Sequence, residues 1–490
     1  MKMQLFQHYI DGEFSNGATQ FESLDPATGK AWAIIPEARE EEVNRAVTAA
    51  HRAFNQGQWP KLTATQRGKL LYKLADWIEE NAPYLAELET RDTGKIIRET
   101  ASQIAYVADY YRYYAGCADK LEGAVLPIDK TDMQVWTKPQ AVGVVAAIIP
   151  WNSQLFLSAV KIGPALAAGC TLVIKASEDG PAPLLELAKG FHAAGFPSGV
   201  VNIITGFGKT CGSVLTSHPD IDHIAFTGGP ITAQQVIKNS ANNLASLSLE
   251  LGGKSPFIIF ADADLDSAIN AQIAAIFAAS GQSCVAGSRL LLQSSIKEEF
   301  INRLKQKAET IKIGSPLDKS TEMGPLCTLR QRQYIEQMVS ASINAGARLI
   351  SGGFSLDKEG FYYAPSIIDC DNTEQAPCLT HELFGPVLSV QSFTDEADAL
   401  GKANNSRYGL ACGLFTQNLA RAHRISAQIR SGIVWLNTYR AVSPIAPFGG
   451  FALSGHGREG GMAAVMDYTR SKTVWLNTSD APFPDPFIMR

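Results

Sequence analysis

From residue 142 onward the chain is a succession of short, almost continuous apolar runs separated by helical stretches. Strands of that kind are buried on both faces, which restricts the fold to parallel sheets flanked by helices. The first runs fall at 142–149, 171–174, 200–204, 223–226 and 246–250, with helical stretches such as 154–168 and 182–194 between them. A second series follows at 256–260, 289–293, 387–393, 409–415 and 432–436. The pattern predicts an α/β fold built from two successive units that meet near Gly252 and Gly253. A length of 490 residues agrees with this, because single cores stop growing well below it.

The first third reads as helical. Apolar residues recur at three- and four-residue steps over 41–54 and 64–90, and again over 99–121. That last stretch carries Tyr106, Tyr110, Tyr111, Tyr113 and Tyr114, a stripe expected to pack between helices, with one or two rings free to reach a channel. The tail after residue 480 holds Pro482, Pro484 and Pro486 and is expected to be extended.

Composition narrows the function. A formal charge of −5 with no basic stripe gives nucleic acid no electrostatic reason to bind. The N-terminus lacks the apolar core of a secretory signal, and the apolar run at 141–150 is too short to span a bilayer, so no membrane partner is expected. Eight cysteines without a CxxC pair, and histidines without ligand spacing, predict no metal site and a cytoplasmic protein with free thiols. Small-molecule chemistry is the remaining expectation.

Several glycine runs resemble phosphate loops. The Gly-Lys pairs at 208–209 and 253–254 lack the glycine five residues upstream, where Ile203 and Ser248 stand, so neither is a P-loop. Gly206, Gly208 and Gly212 miss the GxGxxG spacing by one residue, yet they follow a strand and precede a helical stretch. Phe226-Thr227-Gly228-Gly229-Pro230 also ends a strand, and Pro230 suits the first position of a helix. Lys175 and Glu178 close a further strand, where an α/β sheet presents groups to ligands. Cys284 lies among small residues between a helix and a strand. Glu250 ends a strand among leucines and glycines, where burial would raise its pKa and suit it to act as a base. Asn152 follows the first strand, and its amide can donate to an oxyanion.

Taken together, these segments resemble the aldehyde dehydrogenase superfamily along almost the whole chain. The resemblance rests on Ile149-Pro150-Trp151-Asn152, the stretch from Gly163 to Cys170, and Glu250-Leu251-Gly252-Gly253-Lys254-Ser255-Pro256. It also rests on Gly281-Gln282 before Cys284, Ala286-Gly287-Ser288-Arg289, Glu382-Leu383-Phe384-Gly385-Pro386-Val387 and Pro447-Phe448-Gly449-Gly450. It implies a Rossmann-like cofactor domain over 1–120 and 140–252 and an α/β catalytic domain over 253–455. A small β oligomerisation flap over 121–139, with the C-terminal strand and tail over 456–490, completes the implied subunit. The assembly would be a homodimer or homotetramer.

The implied activity is NAD(P)-dependent oxidation of an aldehyde to a carboxylic acid. Cys284 would attack the aldehyde, with Asn152 and the Cys284 N–H holding the oxyanion. Glu250 would activate water against the resulting thioester, and Lys175 is assigned to both the catalytic and the cofactor set. A coenzyme A-acylating relative would typically lack Glu250, and a non-catalytic cofactor-binding relative would have no reason to keep Cys284, Glu250 and Asn152 together. On the cofactor side the resemblance implies Ile148, Pro150, Trp151, Lys175, Glu178, Gly208, Phe226, Gly228, Gly229, Leu251, Glu382 and Phe384. Glu178 favours NAD by accepting from ribose hydroxyls, with NADP left open. Gly229 departs from the family, which often has serine there.

The implied substrate pocket comprises Ser153, Leu157, Val160, Ser283, Val285, Arg440, Val442 and Phe448. Ser153-Gln154 replaces the usual aromatic–proline pair, and Val442 stands where an aromatic is common. A wider, more polar pocket is expected, unsuited to caging a quaternary ammonium. Arg440 can pair with a substrate carboxylate or serve a subunit contact. A functionalised aldehyde is therefore expected, such as a semialdehyde or a lactol in equilibrium with one.

Overall fold

A computed structural model describes residues 3–488; the last two residues expected in the tail, 489 and 490, lie outside them. Two parallel sheets dominate. The first runs in the order Gly455–His456, Ser246–Leu251, His223–Gly228, Val144–Ile148, Thr171–Ala176, Val201–Thr205, His8–Ile10 and Glu13–Ser15. Its five central strands are mutually parallel, and the edge strands join antiparallel. The second orders Arg348–Ser351, Ser366–Asp369, Val387–Phe393, Arg289–Gln293, Pro256–Ile259, Ala411–Phe415 and Ile433–Leu436, parallel except at the first pair. The apolar runs read from sequence miss the interior strand Ser366–Asp369, whose four residues are too few to stand out, but supply the five central strands of the first sheet and five of the second. Thr171–Ala176 shows why: all six residues are buried, because helices cover both faces.

Helix Gln154–Ala168 is buried along most of its length against the first sheet and carries the turn after Asn152. Gly163 lets helix Ile97–Cys117 approach the other side of this helix closely, since a Cβ there would sit 2.5 Å from the Tyr114 ring. Tyr110, Tyr111 and Tyr114 are core residues, as the stripe predicted.

Three features differ from the helical reading of the first third. The segment 64–90 is two helices, Ala64–Glu80 and Ala82–Thr93, because Pro83 occupies the start of the second and cannot donate into the first. The next helix is Ile97–Cys117 and stops short of residue 121. Residues 4–37 form strands: a three-stranded sheet of Gln4–Leu5, Lys30–Glu37 and Thr19–Asp25, and the two antiparallel edge strands of the first large sheet. These strands are short or mixed in polarity, so their burial comes from neighbours rather than from an alternating pattern of their own.

A separate antiparallel ribbon pairs Met133–Ala141 with Thr469–Asn477. Trp475 and Leu476 on it are 57% and 46% exposed. Residues 478–488 carry neither helix nor strand. Among the described residues no helix is long and apolar enough to cross a membrane.

Candidate active site

The two sheets meet at a cleft, and the chain crosses it at Gly252 and Gly253. A cavity of about 230 Å3 lies there, lined by Asn152, Glu250, Cys284, Glu382 and Phe384 among others. It adjoins a groove of about 290 Å3 through shared Pro150, Trp151, Thr227, Gly228 and Gly229. On the other side, Asn152 also lines an outer cavity of about 840 Å3. Asn152 thus stands between the outer cavity and the inner one.

The loop that presents Cys284 is unusual in its backbone. Ala279, Ser280 and Gly281 follow one another at φ 52°, 53° and 72°, in the left-handed region that side chains other than glycine rarely adopt. At Gly281 no Cβ fits, because it would lie 2.1 Å from the Gly385 carbonyl oxygen. The Ala279 N–H is held by both Glu99 carboxylate oxygens, at 2.9 and 3.1 Å. Strain fixed by surrounding contacts in this way preorganises a loop. Cys284 emerges from it as the one cysteine among the described residues that is not buried. Its N–H has no partner among the described residues. Asn152 Nδ2 donates to the Gln282 carbonyl at 3.1 Å, which fixes the amide beside the thiol and leaves its second N–H free.

The electrostatics hold the thiol neutral. Desolvation, followed by the Glu382, Glu250 and Glu459 carboxylates, pushes Cys284 up to about 12, while Arg440 pulls it down. Glu250, on the Ser246–Leu251 strand, is 4% exposed, and neither carboxylate oxygen has a hydrogen-bond partner. Burial and the nearby Glu459 raise its pKa, against Lys161 and Arg458. Lys161 and Glu459 form an ion pair 298 positions apart in sequence, buried behind Glu250. An unpartnered buried carboxyl with a raised pKa is a poised proton acceptor. Neither Lys161 nor Glu459 carried a sequence signal.

Glu382 is held by the Gly253 N–H at 3.0 Å, and burial raises it to about 7. Gly252 is required for this, since a Cβ would collide with the Glu382 carboxylate. Phe384, at φ 51°, packs edge-on against Trp151 with centroids 5.4 Å apart. Gln331 clamps that turn by donating to the Leu383 and Phe384 carbonyls at 2.6 and 3.0 Å. Sequence reading missed Gln331, because a glutamine inside a helix looks like surface.

The 290 Å3 groove gathers Ile148, Pro150, Trp151, Lys175, Glu178, Gly208, Phe226, Gly228 and Gly229; Leu251, Glu382 and Phe384 line the inner cavity. Lys175 Nζ donates to Glu178 at 3.3 Å and to the Ala176 carbonyl at 3.1 Å, so it is a buried partner of the groove and not of Cys284. An extended dinucleotide fits what is present. Nothing stands within 4 Å of a Cβ built on Gly208 or Gly229, and helix Pro230–Ser240 opens at Gly229 with no acid in its first turn. The Thr227 hydroxyl, on the wall common to groove and cavity, is buried without a partner.

The expected substrate residues divide between two places. Ser153, Ser283 and Arg440 line the 840 Å3 cavity. Leu157, Val160, Val442 and Phe448 line a smaller apolar pocket of about 160 Å3, where Tyr110 also reaches, and Leu157 in addition lines the inner cavity beside Cys284. Val285 lines none of these: it is 8% exposed and packs with Leu410, Ala411 and Trp435, its carbonyl accepting from the Tyr439 hydroxyl at 2.8 Å. The chain turns inward immediately after Cys284, which removes Val285 from the cavity wall. Tyr106 joins the outer cavity and donates to the Val442 carbonyl at 2.9 Å.

Comparison with known proteins agrees with this geometry. The profile of the aldehyde dehydrogenase family matches residues 14–474. A (Z)-2-((N-methylformamido)methylene)-5-hydroxybutyrolactone dehydrogenase from Acinetobacter baylyi is 65% identical over 488 residues, covering 100% of each chain. Aldehyde dehydrogenase family 2 member B4, mitochondrial, from Arabidopsis thaliana is 40% identical over 96% of this chain and 87% of its own. The NAD+ complex of an aldehyde dehydrogenase from Bacillus cereus superposes with a TM-score of 0.95 at 40% identity, covering 97% of both chains.

Proposed function

The chain belongs to the aldehyde dehydrogenase family, and we propose that it oxidises a semialdehyde, or the lactol in equilibrium with one, using Cys284 as nucleophile, Glu250 as base and NAD as oxidant. The observation that carries this reading is the inner cavity: Cys284, the Asn152 amide and an unpartnered buried Glu250 line one space that opens onto a dinucleotide-sized groove.

Each step follows from a named group. Cys284 starts as a neutral thiol, so it must lose its proton as it attacks; Glu250 is the adjacent acceptor. Sγ adds to the aldehyde carbon, and the carbonyl oxygen takes up charge beside the Asn152 Nδ2 and the free Cys284 N–H. Bound in the groove, NAD supplies the acceptor for the hydride that leaves this carbon. A thioester on Cys284 remains. Glu250 first gives the Cys284 proton to solvent; it then takes a proton from water as the water oxygen adds to the thioester carbon, and returns it to the departing thiolate as the carboxylic acid is released. A buried carboxylate at this place favours hydrolysis over transfer to coenzyme A.

Glu178 at the groove favours the two free ribose hydroxyls of NAD over a 2′-phosphate, which it would repel. The substrate class rests on the Acinetobacter relative, whose name specifies a 5-hydroxybutyrolactone, the ring form of a 4-oxobutanoate. We read the chain as two domains divided at 252–253, with the exposed ribbon Met133–Ala141 and Thr469–Asn477 mediating a homodimer or homotetramer. Eight unpaired thiols suit a reducing cytosol.

Nicotinamide reduction with 4-oxobutanoate tests the reading. The parent protein should turn over, Cys284→Ala should not, and Glu250→Gln should give one burst of reduced cofactor and then stall with Cys284 acylated. Steady turnover by Cys284→Ala would refute the nucleophile.

A further inference from the structure

The outer 840 Å3 cavity has a charge pattern that the chemistry at Cys284 does not use. Its walls carry Lys95, Arg98, Lys307 and Arg440 against Glu99 and Glu322. Two of the cations, Lys95 and Arg440, share this lining with Asn152 and with Ser283, the neighbour of Cys284 in sequence. Lys95 is 8% exposed and donates to Gln103 at 2.8 Å and to Ser153 at 2.5 Å; its nearest carboxylate, Glu89, is 3.9 Å away. Ser153 in turn donates to the carbonyl of Asn152, so Lys95 is tied to the residue that borders both cavities. Arg440 has a single weak contact, from Nη2 to the Ala275 carbonyl at 3.4 Å. Its Nε is buried with no partner at all, and its backbone is held at φ 59°.

Lys95 is met by Gln103, Ser153 and Glu89, whereas Arg440 keeps donors to spare, and a buried guanidinium with one weak contact is costly unless something anionic joins it. Desolvation lowers Lys95 most, against Glu89 and Glu99, and Arg440 adds a smaller push in the same direction as burial. Glu99 supplies part of the counter-charge to both cations while its oxygens accept from the Ala279 N–H, and Glu322 lies on the same wall, yet no carboxylate bonds to the Arg440 guanidinium among the described residues. A guanidinium with free donors is the side chain best shaped to take a planar carboxylate.

We propose that Arg440 and Lys95 form a carboxylate subsite that holds the acid end of an open-chain semialdehyde while its aldehyde reaches Cys284. This rests on the dehydrogenase reading above and specifies its substrate. It also explains how a lactol is used. The ring hydroxyl gives its proton to solvent water as the ring C–O bond breaks, the electron pair leaving with the carboxylate, so one opening produces both the aldehyde and the anion that the subsite captures. The product is then a dicarboxylate.

The test compares 4-oxobutanoate with butanal, its uncharged counterpart of equal length, on the parent, Arg440→Met, Arg440→Lys and Lys95→Met. NAD titration establishes that each variant is folded. Because Arg440 also faces Cys284, every substrate slows to some degree in its variants, and the ratio of the two kcat/KM values isolates the carboxylate. The parent should favour 4-oxobutanoate, with succinate competing against it. The ratio should fall roughly 10- to 100-fold in Arg440→Met and Lys95→Met, the worth of a hydrogen bond to a charged group, and less in Arg440→Lys. A ratio unchanged in both methionine variants, or a parent that prefers butanal, would overturn the subsite and leave the dehydrogenase intact. A parent that oxidises neither aldehyde would instead count against the dehydrogenase reading itself.

Discussion

Replacing Lys161 by methionine isolates what the buried charges behind the base contribute. Lys161 and Glu459 are 1% and 7% exposed, and the partnerless Glu250 carboxyl shares their field. Without the ammonium, two carboxyl groups face one another in a dry site, with Arg458 the remaining cation acting on Glu250. Breaking a buried pair by removing one partner costs about 3–5 kcal/mol, against the 0–1 kcal/mol of a surface pair. The same change raises Glu250 further, because Lys161 is the stronger of the two influences holding it down. The base exists only above its pKa and is lost as pH falls through it, so the acid limb of turnover must move to higher pH. Glu459→Gln acts in the opposite sense, since it removes the like charge and keeps Lys161. The double variant Lys161→Met with Glu459→Gln carries neither charge and should recover most of the lost stability, giving a coupling energy of at least about 2 kcal/mol. Urea denaturation of the four proteins, followed by tryptophan fluorescence, measures that coupling; the pH dependence of kcat measures the shift. Strictly additive stabilities, or an acid limb that stays in place in Lys161→Met, would refute the argument.

Two further outcomes follow from the groove and the thiol. Gly229 is the N-cap of helix Pro230–Ser240 at φ −78° and ψ 152°, with open space where a Cβ would stand, so Gly229→Ser should fit without strain, cap the helix and offer a hydroxyl to the pyrophosphate. Calorimetry should show NAD binding tightened by about tenfold, the worth of one hydrogen bond to a charged group; an unchanged dissociation constant would remove the pyrophosphate from Gly229. Because Cys284 is pushed up to about 12, its alkylation by iodoacetamide should be slow at neutral pH and keep rising with pH well past 9, and a plateau below pH 8 would contradict a neutral resting thiol.

What was legible in the sequence was what the backbone pattern records. A strand buried on both faces is mostly apolar, so the central strands announced themselves, Ser366–Asp369 excepted, and with them the sheet ends where Asn152, Lys175, Thr227 and Glu250 sit. Pro83 also left a signal, the one that divides the second and third helices, and an unbroken apolar period obscured it. The N-terminal strands left none. His8–Ile10 and Glu13–Ser15 have three residues each, too few to display a period, and they are strands because an open sheet edge accepts them.

The electrostatics of the site belong to a different kind of information. Cys284, Glu250 and Asn152 stood out through their local surroundings, but their working state depends on groups that only the fold delivers. Glu459 reaches Lys161 across 298 positions, and Lys95 reaches Ser153 across 58. Neither spacing is periodic, and each residue taken alone reads as an ordinary surface charge. The left-handed run through Ala279 and Ser280 was hidden for a similar reason: alanine and serine carry no preference for that conformation, and it is imposed by Glu99 and by the Gly385 carbonyl pressed against Gly281. Val285 shows the converse error, since adjacency to Cys284 suggested the cavity while the strained turn directs it into the packing around Trp435. Local chemistry therefore nominates candidate groups, and the family resemblance gives them their proposed roles. Which protonation state the groups start from depends on long-range contacts such as that of Lys161 with Glu459, and the proposed carboxylate subsite at Lys95 and Arg440 is likewise assembled by the fold.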